Sequence, residues 1–467
     1  MKILLIQPSL PKNLKMAPQC APPMGLMCLA AYVRENRPQD TIRILDMQVN
    51  WLEPEDIRKD IIHFAPDIVG ITCMSVHAPV MHKIASIVKS QLPKAAIIVG
   101  GPHSAAAPES ILKDDNIDAV APGEGEITFL EFVNAVDKEE SLENIPGLVL
   151  RKNGALLMTP PRAFIEDLDF LPYPARDLIE MDKFFDYNVF GQNDMRAHRR
   201  YTTIFTSRAC PYRCIYCHNI FGKKFRARSA KGVLKEMDML YHQYGIREFH
   251  INDDCFNLNI ERAMEVFQGI LDRKWKIHIA FPNGIRADKL PDKLLNMMKK
   301  AGVYKMNVGV ESGSERIQKL IRKNLNLNEL RDAVARADFR GIITHGFFML
   351  GFPTETEDEM RQTINFACSS ALTMAGFFFV NPYPNTELHR IGREMGRISH
   401  FEGYEGCYTD VAVNLSEVST KRLEQLLHIA YRKFYLTPAR MTKIVWRIPH
   451  KMDLYRSLKA QLMIKFF

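Results

Sequence analysis

The feature that most constrains the fold is a pattern that occurs twice along the chain. Short, continuously apolar, β-rich runs are separated by stretches with helical spacing. In the first 135 residues the runs are Lys2–Gln7, Thr41–Asp46, Ile68–Cys73, Ala96–Gly100 and Ala119–Ala121, with Val80, Ile84, Ile87 and Val88 at helical intervals between two of them. A second series starts near Tyr201, with runs Thr202–Thr206, Glu248–Asn252, Ile277–Phe281, Met306–Val310, Ile343–Leu350 and Phe377–Val380. Strands that are apolar throughout are covered on both faces, which means parallel sheets crossed by helices. The first series predicts a Rossmann-like parallel sheet over residues 1–135. The second predicts a partial (β/α)6 barrel over residues 196–386, because six units are too few for an eight-unit barrel. Residues 136–195 read as a connector containing a β-hairpin, Leu148–Lys152 and Ala155–Thr159 around the type I′ signal Asn153-Gly154. Residues 387–467 read as a basic helical extension.

Charge narrows the partners. The chain has 467 residues and a formal net charge of +8, yet the 49 residues from Ser419 onward carry a net +9 and everything before them sums to −1. A neutral body disfavours a nucleic-acid binder, whose basic footprint would have to sit on the tail alone. No run approaches the 18 or so apolar residues needed to span a bilayer. The opening MKILLIQPSLPK reads as a first strand rather than an export signal, so a cytoplasmic setting is expected. In it the nine cysteines are ligands or packed thiols rather than disulfides.

The strongest chemical signal is Cys210-Pro211-Tyr212-Arg213-Cys214-Ile215-Tyr216-Cys217, on the loop after the first strand of the second series. Thiolates suit zinc or an iron–sulfur cluster. Zinc wants a fourth ligand, and His218 is poorly placed to close the same tetrahedron. A cubane held by three cysteines leaves one iron open. Three packed thiols are the bland alternative. The Cys-x3-Cys-x2-Cys spacing, with aromatic Tyr216 before the last cysteine, resembles the radical S-adenosylmethionine (SAM) superfamily. The resemblance implies a 4Fe–4S cluster on Cys210, Cys214 and Cys217 whose open iron chelates SAM, reductive cleavage to a 5′-deoxyadenosyl radical, and an electron donor of flavodoxin or ferredoxin type. It further implies SAM contacts from Tyr216, from Asp253 and Asp254 after the second barrel strand, from Asn283 and Arg286 after the third, and from Glu311 and Ser312 after the fourth. Gly351-Phe352-Pro353 with Glu355 follows the fifth. Polar residues at the carboxyl ends of barrel strands are where such barrels place chemistry, although each could equally cap the next helix.

In the first series, ligands belong beyond the carboxyl ends of the strands. Those positions hold the loop 8–25, Thr72–Ser75, Gly100-Gly101-Pro102-His103 and Gly123-Glu124-Gly125-Glu126. Set before a radical SAM domain, they resemble the cobalamin-binding radical SAM enzymes over residues 1–385. Thr72, Ser75, Gly100, Gly101, His103, Gly123 and Glu124 are then the implied cobalamin contacts. The loop 8–25 contains no histidine, so a cobalt without a protein nitrogen ligand is expected. The alternative is a degenerate Rossmann domain without cofactor. The resemblance implies methyl transfer to an unactivated carbon of a small or hydrophobic substrate, with cobalamin-assisted cyclisation or oxidation as the rival. A non-catalytic cobalamin or iron–sulfur sensor is the reading from a different class. Tyr383 and Asn385 are substrate-side candidates.

The tail carries Leu423, Leu426, Leu427, Ala430 and Phe434 on one helical stripe, then Met441, Ile444, Val445 and Ile448, then Leu454, Leu458, Leu462, Ile464, Phe466 and Phe467, with basic residues on the other faces. This pattern suits either a helix lying on an anionic membrane, with a lipid-like substrate, or helices packed on the barrel with a solvated basic face.

Overall fold

The computed structural model describes residues 1–11, 21–186, 195–218, 220–399 and 410–449. The first sheet has seven strands: β1 (Lys2–Gln7), β2 (Thr41–Asp46), β3 (Ile68–Thr72), β4 (Ala96–Gly100), β5 (Ala119–Ala121), β6 (Val149–Lys152) and β7 (Ala155–Met158). Their order is β2-β1-β3-β4-β5-β6-β7, and β1 to β5 are parallel. Successive residues of a strand face opposite sides, and two separate apolar clusters result. Leu4, Ile6, Val69, Ile71, Ile97 and Val99 serve one face; Ile3, Leu5, Ile68 and Ile98 serve the other. Strand order reverses between β1 and β3, so the ligand crevice of a doubly wound sheet opens at their carboxyl ends.

The hairpin of the predicted connector forms as expected, with Asn153 and Gly154 both at positive φ. It is not a free linker element: β6 pairs antiparallel with β5 and extends the first sheet. Sequence periodicity reports a hairpin but not which edge it joins.

The second sheet comprises β8 (Tyr201–Ile204), β11 (Glu248–Ile251), β12 (His278–Phe281), β13 (Val303–Glu311), β14 (Ile343–Leu350) and β15 (Met374–Phe379), all parallel, in the order β15-β14-β13-β12-β11-β8. This is the expected six-stranded partial barrel. Its outer face packs against the helices Ala230–Gln243, Ile260–Asp272, Asp292–Lys300, Leu327–Phe339 and Glu357–Ser369 through the largest apolar cluster in the chain. The capping box at Thr356 and Glu359 is present. A two-stranded antiparallel ribbon, β9 (Ser207–Arg208) and β10 (Arg226–Ala227), was not legible in advance. It clamps the base of the loop that carries the three cysteines.

The first stripe of the tail packs on the barrel, whereas Met441 and Val445 of the second are exposed. Helix Thr420–Tyr435 buries Leu423, Leu426, Leu427, Ala430, Tyr431 and Phe434 against the barrel. The lipid-facing reading of that stripe is therefore corrected, because the stripe is already covered. The hydroxyls of Tyr431 and Tyr435 reach the open edge of β15. Tyr431 accepts from Phe377 N and donates to Phe377 O, both at 3.0 Å. Tyr435 does the same for Ala375, at 3.1 and 2.7 Å. Four helical residues rise about 6.0 Å and two strand residues about 6.6 Å, so an i, i+4 pair matches an i, i+2 pair. In the next helix, Pro438–Arg447, much of the basic charge meets helix C-termini. Arg440 donates to the carbonyls of Cys368, Ser370 and Leu372, and Lys443 to Ala371 O, groups left without helical partners. Lys443 and Arg447 also pair with Asp338. Leu454, Leu458, Leu462, Ile464, Phe466 and Phe467 lie outside the described residues. No helix among the described residues is long and apolar enough to cross a membrane.

Candidate active site

The cysteine loop hangs from the β9–β10 ribbon and is strapped to segments that follow β12, β13 and β15, two of them helices. Ala209 enters it at a φ of 72°, a left-handed conformation that is costly for a residue with a Cβ. Ile215 N donates to Ile321 O (3.1 Å) and Leu388 N to Ile215 O (2.8 Å). The Arg286 guanidinium lies 4.0 Å from the ring centre of Tyr212. Lys223 Nζ donates to Tyr212 O at 2.7 Å.

Within the loop the three thiols sense one another. The Cys214 thiol is lowered to about 6, first by a hydrogen bond with Cys217 and, against the opposing effect of burial, by the Lys323 ammonium. The same bond and burial push Cys217 up. Burial pushes Cys210 up, with Cys214 and Asp254 adding to the effect. Thiols of matching softness on one strapped loop fit an iron–sulfur cluster. Among the described residues no three His, Cys, Asp or Glu side chains gather around a single metal ion.

The two aspartates after β11 are separated by the structure. Asp253 is buried and accepts from Thr206 N (2.6 Å), Thr206 Oγ1 (2.5 Å) and Ser207 Oγ (2.6 Å), so it braces the start of the cysteine loop. Asp254 is the exposed member, held up by burial of its carboxyl among neighbours and by Asp253, and it is close enough to Cys210 to perturb it. Asn283 Nδ2 donates to Asn252 O at 2.9 Å. Arg286 is engaged with Asp288 through both Nε (2.8 Å) and Nη2 (2.7 Å). Glu311 sits at a φ of 66°, beside a register shift between β13 and β14 at Gly309 and Glu311. Such a bulge at a barrel rim re-aims a side chain. Ser312 is buried, 3.1 Å from Thr363 Oγ1, and accepts from Ser314 N. Glu355 accepts from Gly351 N (2.7 Å) and Phe352 N (3.0 Å), and its burial raises it to about 8.

A residue missed in the sequence completes this rim. Lys323 Nζ donates to Glu311 Oε1 at 2.6 Å and to Tyr216 OH at 3.3 Å. It belongs to no motif, and only the topology brings it under the cysteine loop.

At the carboxyl end of the first sheet, missing side chains open a cradle. A Cβ on Gly123 would meet nothing within 4 Å, and one on Gly100 would meet only Ala121 O at 3.9 Å. Gly101 differs: at a φ of 94° it lies so close that a Cβ would stand 2.9 Å from both Cys73 N and Thr72 Oγ1. Ser75 Oγ is 3.1 Å from His103 Nδ1, and His103 is fully buried. His77 is buried too, which lowers it to about 4. Neither imidazole stands open in the cradle. A bulky cofactor fits the two turns, after β4 and after β5, where Gly100 and Gly123 leave space.

Glu124 has another place. Its Oε1 accepts from Arg208 Nη1 (2.9 Å) and Arg226 Nη1 (2.8 Å), and its Oε2 from Ile165 N (2.8 Å). Glu126 takes the other arm of Arg208. The cradle loop is therefore bolted to the ribbon from which the cysteines hang. Across the cleft, Asn385 Nδ2 donates to Ala105 O at 2.9 Å, and Tyr383 lies against His218, next to Cys217, at 6.1 Å between ring centres. Segments beyond the carboxyl ends of the two sheets thus meet through Asn385 and Ala105. Nothing local in the sequence singles out Arg208 or Arg226 for this role.

Comparison with known proteins agrees with this layout. Residues 13–133 match the B12 binding domain and residues 204–367 match the radical SAM superfamily. An uncharacterised methyltransferase of Pyrococcus horikoshii is 33% identical, covering 100% of this chain and 99% of its own. Cytidylyl-2-hydroxyethylphosphonate methyltransferase of Streptomyces wedmorensis is 29% identical, covering 89% of this chain and 86% of its own. The solved structure of the cobalamin-dependent SAM radical enzyme OxsB with aqua-cobalamin bound superposes with a TM-score of 0.76 at 18% identity, covering 99% of this chain and 72% of that one.

Proposed function

The chain belongs to the cobalamin-binding radical SAM enzymes, and from that premise we propose that it methylates an unactivated carbon of a small substrate held between its two sheets. The observation that carries this reading is the Glu124–Arg208–Arg226 bolt. It fixes the cobalamin cradle to the ribbon bearing Cys210, Cys214 and Cys217, which supports a single cleft serving both cofactors.

When bound there, a 4Fe–4S cluster would supply the electron for reductive cleavage of SAM and cobalamin would supply a transferable methyl group. The chain's own work is to orient and exclude. Cys210, Cys214 and Cys217 hold the cluster. Asp254, the open aspartate, takes the methionine amino group, and Glu311 takes the ribose, aimed by its bulge. Asn283 lines the same rim. Asp253, Arg286 and Ser312 act behind them by holding Thr206, Tyr212 and Ser314. Thr72, Ser75, Gly100 and Gly101 would hold the nucleotide tail of cobalamin, and Gly123 would leave room for it beside them. Tyr383 and Asn385 close the substrate side. The electron comes from a donor of flavodoxin or ferredoxin type. Overall similarity to a methyltransferase along most of the chain favours methyl transfer over cyclisation.

The test is anaerobic incubation of the reconstituted protein with SAM and a reductant. 5′-Deoxyadenosine together with S-adenosylhomocysteine is the expected pair. Deoxyadenosine without S-adenosylhomocysteine, with substrate present, would favour cyclisation or oxidation. Neither product would return the chain to a sensor.

A further inference from the structure

The face of the barrel at the amino ends of its strands is both basic and apolar. Helices that return between parallel strands run against them, so their carboxyl ends collect on this face, away from the cysteine loop. Those ends carry Arg273 and Lys274 after helix Ile260–Asp272, Lys276 two residues on, and Lys299 and Lys300 closing helix Asp292–Lys300, all five exposed. Asp272 stands against them in the same stretch, while Asp338 is already shared by Lys443 and Arg447. Helix Pro438–Arg447 crosses the face. Ile444 and Ile448 fill its inner side, in one cluster with Ile343 and Met374, the first residues of β14 and β15. Its outer side is apolar as well: Met441 and Val445 are exposed, Trp446 is 83% exposed, and Phe339, at the end of the neighbouring helix, is 90% exposed. The segments are joined here, since Arg447 Nη2 donates to Asp338 O at 2.8 Å and Lys299 Nζ to Gly341 O at 3.3 Å. A helix apolar on both sides is ordinarily covered on both. One exposed aromatic means little, but four apolar side chains gathered with cations mark an interaction surface.

We propose that this face docks on the surface of an anionic lipid bilayer. Trp446 and Phe339 enter the headgroup boundary, where amphipathic and aromatic side chains settle. Charge complementarity selects the lipid: each Lys or Arg near a negative surface is worth about fivefold in partitioning, an attraction that falls off within a Debye length. The sequence beyond Pro449 has the same composition, with Lys451, Arg456, Lys459 and Lys465 against Asp453, and ends on Phe466-Phe467. Docking by this face leaves the carboxyl ends of the barrel strands, and the cofactor cleft with them, turned to water. The inference is therefore independent of the methyl-transfer reading and calls for no lipid substrate.

The full-length protein is sedimented with extruded vesicles of phosphatidylcholine, alone or mixed with phosphatidylglycerol, at low and at high salt. Sedimentation with the mixed vesicles, at low salt only, is the expected result. The partition coefficient should fall about 100-fold in Lys274→Gln/Lys276→Gln/Lys300→Gln, which removes three charges, and roughly tenfold or more in Phe339→Ser/Trp446→Ser. Thermal midpoints should stay put, because the substituted side chains are exposed; if either variant melts early, the other decides. Equal sedimentation with both kinds of vesicle, or with neither, overturns the proposal. So does undiminished binding by the two variants, or binding lost instead in Phe466→Ser/Phe467→Ser, which would put the contact at the chain end. A wild-type mass that doubles with concentration, and stays monomeric in Phe339→Ser/Trp446→Ser, would give the face to a second copy of the chain and overturn it as well.

Discussion

Replacing Arg226 by Met tests the bolt between the two halves directly. The guanidinium and the Glu124 carboxylate are almost wholly buried, at 2% and 3% side-chain exposure. Arg226 also donates to Ile165 O (2.6 Å) and Phe221 O (2.8 Å). The variant keeps most of the volume but leaves Glu124 with Arg208 and Ile165 N alone, and it strips donors from two carbonyls. Removing one partner of a buried pair costs about 3–5 kcal/mol. At about 1.4 kcal/mol per tenfold, the cradle loop should separate from the ribbon roughly 150- to 5,000-fold more often. Hydrogen exchange read by mass spectrometry over residues 160–170 and 205–228 should lose protection by that factor if opening is fast relative to exchange. Glu124→Gln should lose protection too, though less, since an amide oxygen still accepts. The double variant should fall well short of the sum, because the two groups share one interaction. Arg226→Met protection within threefold of wild type, or strictly additive losses, would refute the claim that this pair holds the halves together. Cobalamin retention after gel filtration should fall in parallel, since the loop that lines the cradle is the one released.

Changing Cys210, Cys214 and Cys217 to Ala should abolish bound iron and sulfide and with them deoxyadenosine formation; full iron content in that variant would exclude the loop as the cluster site. Gly101→Val should lose cobalamin and cost on the order of 1–3 kcal/mol of stability, because its Cβ would press on Cys73 N in a left-handed conformation; unchanged cobalamin binding would contradict the cradle. Glu355, with a folded pKa of about 8 against 4.5 when unfolded, keeps its proton while the unfolded chain loses it, so its contribution to stability falls as pH rises from 4.5 to about 8. Glu355→Gln should flatten that slope in urea unfolding measured across the range; an identical slope would mean the carboxyl is not protonated.

Both sheets were readable because their strands are apolar throughout and helices separate them. The predicted Ile343–Leu350 coincides with β14. Met306–Val310 fell short of β13, Val303–Glu311, because Lys305 and Glu311, polar yet buried in the strand, bound the apolar run. The cysteine loop was legible from spacing alone. What escaped was whatever depends on distant segments meeting. Asp253 and Asp254 look alike in sequence, and only the placement of Thr206 and Ser207 makes one a brace and leaves the other open. Glu124 reads as a cofactor contact, and only the fold shows Arg208 and Arg226, some hundred positions later, paired with it. Lys323 has no local signature at all. The tail's charge is ambiguous for a related reason: a basic helix that caps carbonyls of other helices has the same composition as one that lies on a membrane.

The tyrosine pair at the rim of β15 has a consequence for the life of the chain after synthesis. The barrel stops at six strands, and its last strand would otherwise present a row of unpaired amides and carbonyls, a template on which another molecule's strand can add. Tyr431 and Tyr435 occupy that template with two hydroxyls supplied some fifty residues later. Until the helix bearing them has been made and docked, or whenever proteolysis removes it, the exposed rim is free to recruit a second chain. The barrel thus gains cover for this edge late, and a version cut before Ser419 is expected to associate through β15.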